Sequence, residues 1–177
     1  QKLTINGHLL KKINISFRKH VFWTPNSEAL TFKAVVQIVD NCTELSELAL
    51  SNITRPAVEY LCQNLTPKIC KLHLDRLQNE YRHLPDYSID KLTKRCDKLT
   101  ALSLGFMKIS VLALSYLKNL VNLEKLAFFE CFVDTTYNWK VWIGEFDKMT
   151  KLKVLCISYI VDAHYPINAQ MKRKCKQ

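Results

Sequence analysis

The apolar residues of this chain recur in a single frame, and that frame restricts the possible folds more than any other feature. Leu99, Leu102, Leu104 and Met107 are separated by three, two and three residues. The same spacing returns as Leu45, Leu48, Leu50, Ile53, as Ile69, Leu72, Leu74, Leu77, as Leu123, Leu126, Phe128, Cys131 and as Leu152, Leu155, Ile157, Ile160. A first, incomplete copy is Leu10, Ile13, Ile15, with Arg18 where the fourth apolar residue belongs. The central anchors Ile13, Leu48, Leu72, Leu102, Leu126 and Leu155 are 35, 24, 30, 24 and 29 residues apart. Long and short units therefore alternate, and Leu48 to Leu102 and Leu72 to Leu126 both span 54 residues. No single unit can bury its own apolar strand, so the units must stack into one continuous core.

A short strand plus a return segment at this period is the signature of leucine-rich repeats. The expected fold is α/β: a leucine-rich-repeat solenoid, a partial horseshoe of about six repeats with parallel strands on the concave side and helices on the convex side. With 177 residues, 48% of them apolar, the chain is expected to form one domain over 1–177. Residues 1–26 form an N-terminal cap region and 162–177 a basic tail. Strands are expected over 12–16, 47–51, 71–75, 101–105, 125–129 and 154–158. Between them, Ser27 is placed to cap a helix over 28–40, in which Leu30, Ala34, Val35 and Ile38 share a face. Thr54 caps the next helix, with Pro56 in its first turn and Val58, Leu61, Cys62 and Leu65 inward. Further helices are expected over 88–96, from Ser110 to about Leu120, and over 136–148, where Trp139, Trp142, Ile143 and Phe146 face the core.

Seven cysteines, an odd number without framework spacing, favour a reducing compartment, cytoplasmic or nuclear. The N-x-S/T sequons at Asn14, Asn41, Asn52 and Asn64 are read as chance occurrences, Asn14 falling inside a strand. No apolar run reaches the ~18 residues that span a bilayer, and no membrane partner is expected. Three glycines build no phosphate-binding loop, and no G-x-S-x-G elbow is present. Cys70 and His73 are an odd number apart, which on a strand puts them on opposite faces and precludes a shared metal. No enzyme activity, cofactor or metal is expected. The net charge of +10, with Lys172, Arg173 and Lys174 crowded in the tail, keeps open a basic binder of nucleic acid or acidic surfaces as an alternative.

The frames Cys96-Asp-Lys-Leu99-Thr-Ala-Leu102-Ser-Leu104 and Cys42-Thr-Glu-Leu45-Ser-Glu-Leu48-Ala-Leu50 resemble the cysteine-containing class of leucine-rich repeats. In that class a helix ends in Cys before the next strand. The resemblance, over about residues 10–160, is to the F-box and leucine-rich-repeat proteins, substrate receptors of cullin-RING ubiquitin ligases. Pro67, Asn119-Leu120 and Lys148-Met149 stand where the other frames lack the cysteine. The resemblance implies a non-catalytic subunit in the ubiquitin pathway and a chain that is a fragment lacking an upstream F-box. It further implies a protein substrate on the concave face, with a ligase adaptor only where an F-box lies upstream. A stand-alone adaptor or scaffold without a ligase role is the alternative.

Alternation along each strand sends the residues between the anchors to the concave face: Asn14, Ala49, His73, Ser103, Ala127 and Cys156. All but His73 are small, which leaves room for a partner. Flanking positions add Lys12, Glu47, Lys71, Asp75 and Lys125 at one end, with Phe129 at the other. The next row holds Asn52, Arg76, Phe106, Glu130 and Tyr159. Phe106, Phe129 and Tyr159 come from consecutive strands and are expected to form an aromatic patch beside Lys125, open to a partner or covered by a loop or the tail. The candidate partner-binding set is Lys71, His73, Ser103, Phe106, Lys125, Phe129 and Tyr159.

Overall fold

The structure, a computed structural model, describes residues 7–15, 30–78, 83–133, 144 and 146–158. A 3-10 turn (Gly7–Leu9) leads into β1 (Lys12–Ile15), followed by α1 (Phe32–Asn41), β2 (Glu47–Thr54), α2 (Arg55–Asn64) and β3 (Lys71–Gln78). Then come α3 (Asp86–Arg95), β4 (Ala101–Gly105), β5 (Lys108–Ile109), α4 (Val111–Leu117), β6 (Lys125–Phe129), β7 (Phe132–Val133) and β8 (Val154–Ser158). Six strands make one sheet in the order β1-β2-β3-β4-β6-β8, every pairing parallel. The short strands β5 and β7 pair separately.

The repeat frame sets the register. Ile13, Leu48, Leu72, Leu102, Leu126 and Leu155 are paired across the whole sheet. Entry into β2, β3, β4, β6 and β8 is held in one way: two consecutive amides donate to one carbonyl of the preceding unit, Ser46 and Glu47 to Lys11 at β2. Cys70 and Lys71 donate to Ser46, Thr100 and Ala101 to Cys70, Glu124 and Lys125 to Thr100, and Lys153 and Val154 to Glu124. Anchor residues of the four inner strands are buried with the inner faces of the helices in one core, among them Val35, Leu61, Leu92 and Leu114. Ile13, Ile15, Leu155 and Ile157 are only partly buried. Their strands have one neighbouring strand each among the described residues.

In four successive units, those of β2, β3, β4 and β6, the chain leaves the repeat strand through an abrupt turn, and the frame explains its geometry. Leu50 and Ile53, like Leu104 and Met107, are an odd number apart, yet both members are buried on the same side. Regular alternation would send them to opposite faces. A left-handed residue between them breaks the alternation: Asn52, Arg76, Phe106 and Glu130 have φ of 61°, 56°, 51° and 48°.

The helix starts differ from expectation. Thr31, not Ser27, caps α1, its hydroxyl accepting from the Ala34 amide at 3.3 Å. Ser27 lies outside the described residues. Leu30 precedes the helix and forms an isolated parallel bridge with Ile53. Pro56 lies in the first turn of α2, but Thr54 makes no side-chain cap bond there. The third helix starts at Asp86, earlier than expected, and α4 ends at Leu117, short of Leu120. Most of 136–148 lies outside the described residues. Phe146 is buried, its ring 6.1 Å from that of Phe128. Among the described residues no helix is long and apolar enough to cross a membrane.

Candidate functional site

The sheet face opposite the buried anchors carries three rows. The first, at the strand starts, reads Lys12, Glu47, Lys71, Ala101, Lys125 and Val154 across β1 to β8. The second reads Asn14, Ala49, His73, Ser103, Ala127 and Cys156. The third, on β2 to β8, reads Ser51, Asp75, Gly105, Phe129 and Ser158. A groove of about 410 Å³ lies over the first two rows, bordered by Lys12, Glu47, Lys71 and Lys125 and floored by Ala49, His73, Ser103 and Ala127.

Charge in the first row is organised by Glu47. Its Oε1 accepts from Lys12 Nζ at 3.1 Å and from Lys71 Nζ at 2.9 Å. The two ammonium groups hold its carboxyl below the usual carboxylate range, Lys71 having the greater effect. Lys125 forms no ion pair among the described residues.

In the second row, His73 Nδ1 and Ser103 Oγ are 2.8 Å apart in a hydrogen bond across β3 and β4. Burial pushes the imidazole pKa down, against the opposing pull of Asp75. Asp75 belongs to the third row, at the far strand ends. Its Oδ1 is buried with no hydrogen-bond partner, and burial raises its pKa despite neighbouring Arg76, His73 and the Arg76 amide. Arg76 Nε lies 3.8 Å from Asp75 Oδ2, and its guanidinium carbon sits 5.0 Å from the centre of the Phe106 ring. Gly105, paired with Asp75, has no room for a larger residue, because a Cβ there would come within 2.6 Å of Asp75 Oδ1.

Four of the candidate residues, Lys71, His73, Ser103 and Lys125, are brought together on the groove. The aromatic patch is not beside Lys125. Lys125 and Phe129 begin and end β6, which separates them by roughly 13 Å at ~3.3 Å per residue. Asp75 likewise sits with Phe129 and not with the lysines, being paired through Gly105. Phe106 and Phe129 are neighbours at the strand ends, the Phe106 amide donating to the Phe129 carbonyl at 2.8 Å. Phe106 is half-buried under Arg76, and Phe129 is exposed. Tyr159 lies outside the described residues. Sequence reasoning missed the double bridge at Glu47 and the Arg76–Phe106 stack. The first had a signal, since Lys12, Glu47 and Lys71 occupy the same position of three successive frames.

Among the described residues no cluster of three His, Cys, Asp or Glu side chains could hold a metal ion. Ser103, His73 and Asp75 share a face, but no hydrogen bond orients the imidazole from Asp75, whose Oδ1 is unpartnered. The trio is therefore not arranged as a nucleophile, a base and an orienting acid.

No protein-family model matches the sequence, and no curated protein matches it. Among solved structures, the chain is similar to the tropomodulin C-terminal domain of Caenorhabditis elegans, with a TM-score of 0.52 and 11% identity, over 82% of this chain and 86% of that one. The likeness is one of fold: α/β and leucine-rich-repeat-like.

Proposed function

We propose that the chain is a non-catalytic protein-recognition module that binds its partner on the open face of the sheet. The observation that carries this reading is the groove of about 410 Å³ over small side chains, bordered by lysines held in register by the repeat frame. Ligands of repeat proteins bind across several units on such a face. The recognition residues in this reading are Lys71, His73, Ser103 and Lys125 in the groove, with Phe106 and Phe129 at the strand ends, and Tyr159, which lies outside the described residues.

The finer assignment within this reading is the substrate-binding part of an F-box-type cullin-RING ligase subunit. Two helix ends support it. Cys42 and Cys96 both stand at a helix C-terminus, their amides donating to Ile38 and Leu92 at 3.0 and 2.9 Å, directly before the frame of the next strand. The test is whether the full-length protein co-purifies with the ligase adaptor. Absence of the adaptor removes the ligase assignment and leaves the recognition module standing.

The recognition surface itself is tested by a pair of neighbours. Replacing half-exposed Ser103 by Glu fills the groove floor, and partners captured by the wild type are expected to be lost. Its stability cost is about 1 kcal/mol or less, mostly the bond to His73. Leu102→Ala, on the buried side, is expected to cost roughly 2–5 kcal/mol while keeping binding in the folded fraction. Normal capture by a folded Ser103→Glu variant would place the interface elsewhere.

A further inference from the structure

The first row of the open face repeats one arrangement twice but fills it once. Lys12 and Lys71 stand on the strands either side of Glu47, two strand spacings or about 9.6 Å apart at the backbone. The Glu47 carboxylate lies between them and accepts from both ammonium groups. Lys71 and Lys125 stand in the same relation either side of Ala101. There the middle position has only a methyl group, so no carboxylate is supplied, and the Lys125 ammonium has no ion pair among the described residues. All five residues line the groove, whose floor beneath Ala101 is Ser103.

We infer that this vacant middle position receives a carboxylate from the partner, an Asp or Glu side chain of an extended acidic peptide segment, gripped by Lys71 and Lys125 as Glu47 is gripped by Lys12 and Lys71. The inference rests on the reading of the open face as a recognition surface and gives that surface its ligand class. Charge complementarity favours it: the groove border holds three lysines against one carboxylate, on a chain of net charge +10. Depth favours it too, since Ala49, Ala101 and Ala127 leave main-chain room above the floor.

The variant that tests this most directly is Ala101→Glu, which gives the second arrangement its own carboxylate. A fluorescein-labelled peptide of five Glu-Pro-Ala repeats, with its Gln-Pro-Ala counterpart, is titrated with the whole chain at low salt and followed by anisotropy. The glutamate peptide is expected to bind and the glutamine peptide not, with affinity falling as salt rises. Ala101→Glu is expected to weaken binding by about tenfold or more. Lys125→Gln, a surface change that does not threaten the fold, is expected to weaken it by about fivefold. Thermal melts establish that both variants are folded. No binding of the glutamate peptide, or equal binding by wild type and both variants, overturns the inference. A thymidine oligonucleotide of equal charge that binds more tightly, and is weakened by the same substitutions, overturns the acidic-peptide assignment in favour of phosphate. The underlying reading fails separately: if Ser103→Glu leaves capture of wild-type partners unchanged, the open face is not the recognition surface at all. If Ser103→Glu abolishes capture while the acidic peptide does not bind, only the ligand class falls.

Discussion

At the scale of single residues, the open face holds two titrating groups whose burial acts in opposite directions on stability. His73 has a folded-state pKa below its ordinary 6.5, because burial disfavours the imidazolium. Its contribution is therefore complete above pH 6.5 and is lost as pH falls through the depressed folded value. Asp75 is the reverse. Its folded pKa lies above 3.8, so the ionised form is the disfavoured one. Stability from this site rises as pH falls through the raised folded pKa towards the unfolded value. Subtracting the pH–stability curve of His73→Gln from that of the wild type isolates the first effect, and Asp75→Asn isolates the second. Asp75→Asn is also expected to be neutral or to add up to about 1 kcal/mol at neutral pH, since burial of the carboxylate outweighs the pull of Arg76 and His73 on it and Oδ1 has no hydrogen-bond partner. Chemical denaturation of each variant across the pH range decides both signs.

At the scale of elements, helix starts that look alike in sequence behave differently. Ser110 caps α4, accepting from the Ala113 amide at 2.9 Å, while Asp86 Oδ1 takes its proton. Ser110→Ala is expected to cost about 0.5–2 kcal/mol. Thr54 occupies the same position before α2, but its hydroxyl is buried and unpartnered. Thr54→Val, which removes the orphaned group and keeps the shape, is expected to be neutral or stabilising. Equal losses in the two thermal melts would contradict the cap geometry. The turns after the strands carry a different strain. Glu130 adopts a left-handed backbone, which costs a non-glycine residue roughly 1–2 kcal/mol and which Asn tolerates better. Glu130 is exposed, so Glu130→Asn is expected to raise the unfolding free energy by part of that amount, measured in urea.

At the scale of the whole molecule, stability follows the stack. Leu104 lies in β4 with a strand on either side and is fully buried, whereas Ile157 lies in β8 and is partly buried. Leu104→Ala is expected to cost about 2–5 kcal/mol, the range for a buried leucine whose site cannot collapse, and Ile157→Ala clearly less. In a nearest-neighbour stack the first change also weakens the interfaces on both sides. Comparing the urea midpoints and slopes of the two variants separates local fraying at β8 from loss of the whole sheet.

The periodic spacing of Leu, Ile and Phe was by itself sufficient to determine the parallel sheet, its strand order and its register. Each frame buries its anchors only when its neighbours are aligned with it, so pattern and pairing are one constraint. For that reason β4, β6 and β8 begin and end where the frame predicts, and the row from Asn14 to Cys156 is continuous. Helix starts were less legible, because Ser27, Thr31 and Thr54 all have capping chemistry and only the local chain path decides which hydroxyl meets an amide. The left-handed turns had a trace in the odd spacing of the last two anchors, but Arg76, Phe106 and Glu130 carry no propensity for that conformation. What only the tertiary structure decided is which groups meet across strands: Glu47 between two lysines, His73 on Ser103, Asp75 against Gly105. Those contacts join residues 24 to 35 positions apart, and they depend on distances and burial that a one-dimensional pattern does not contain.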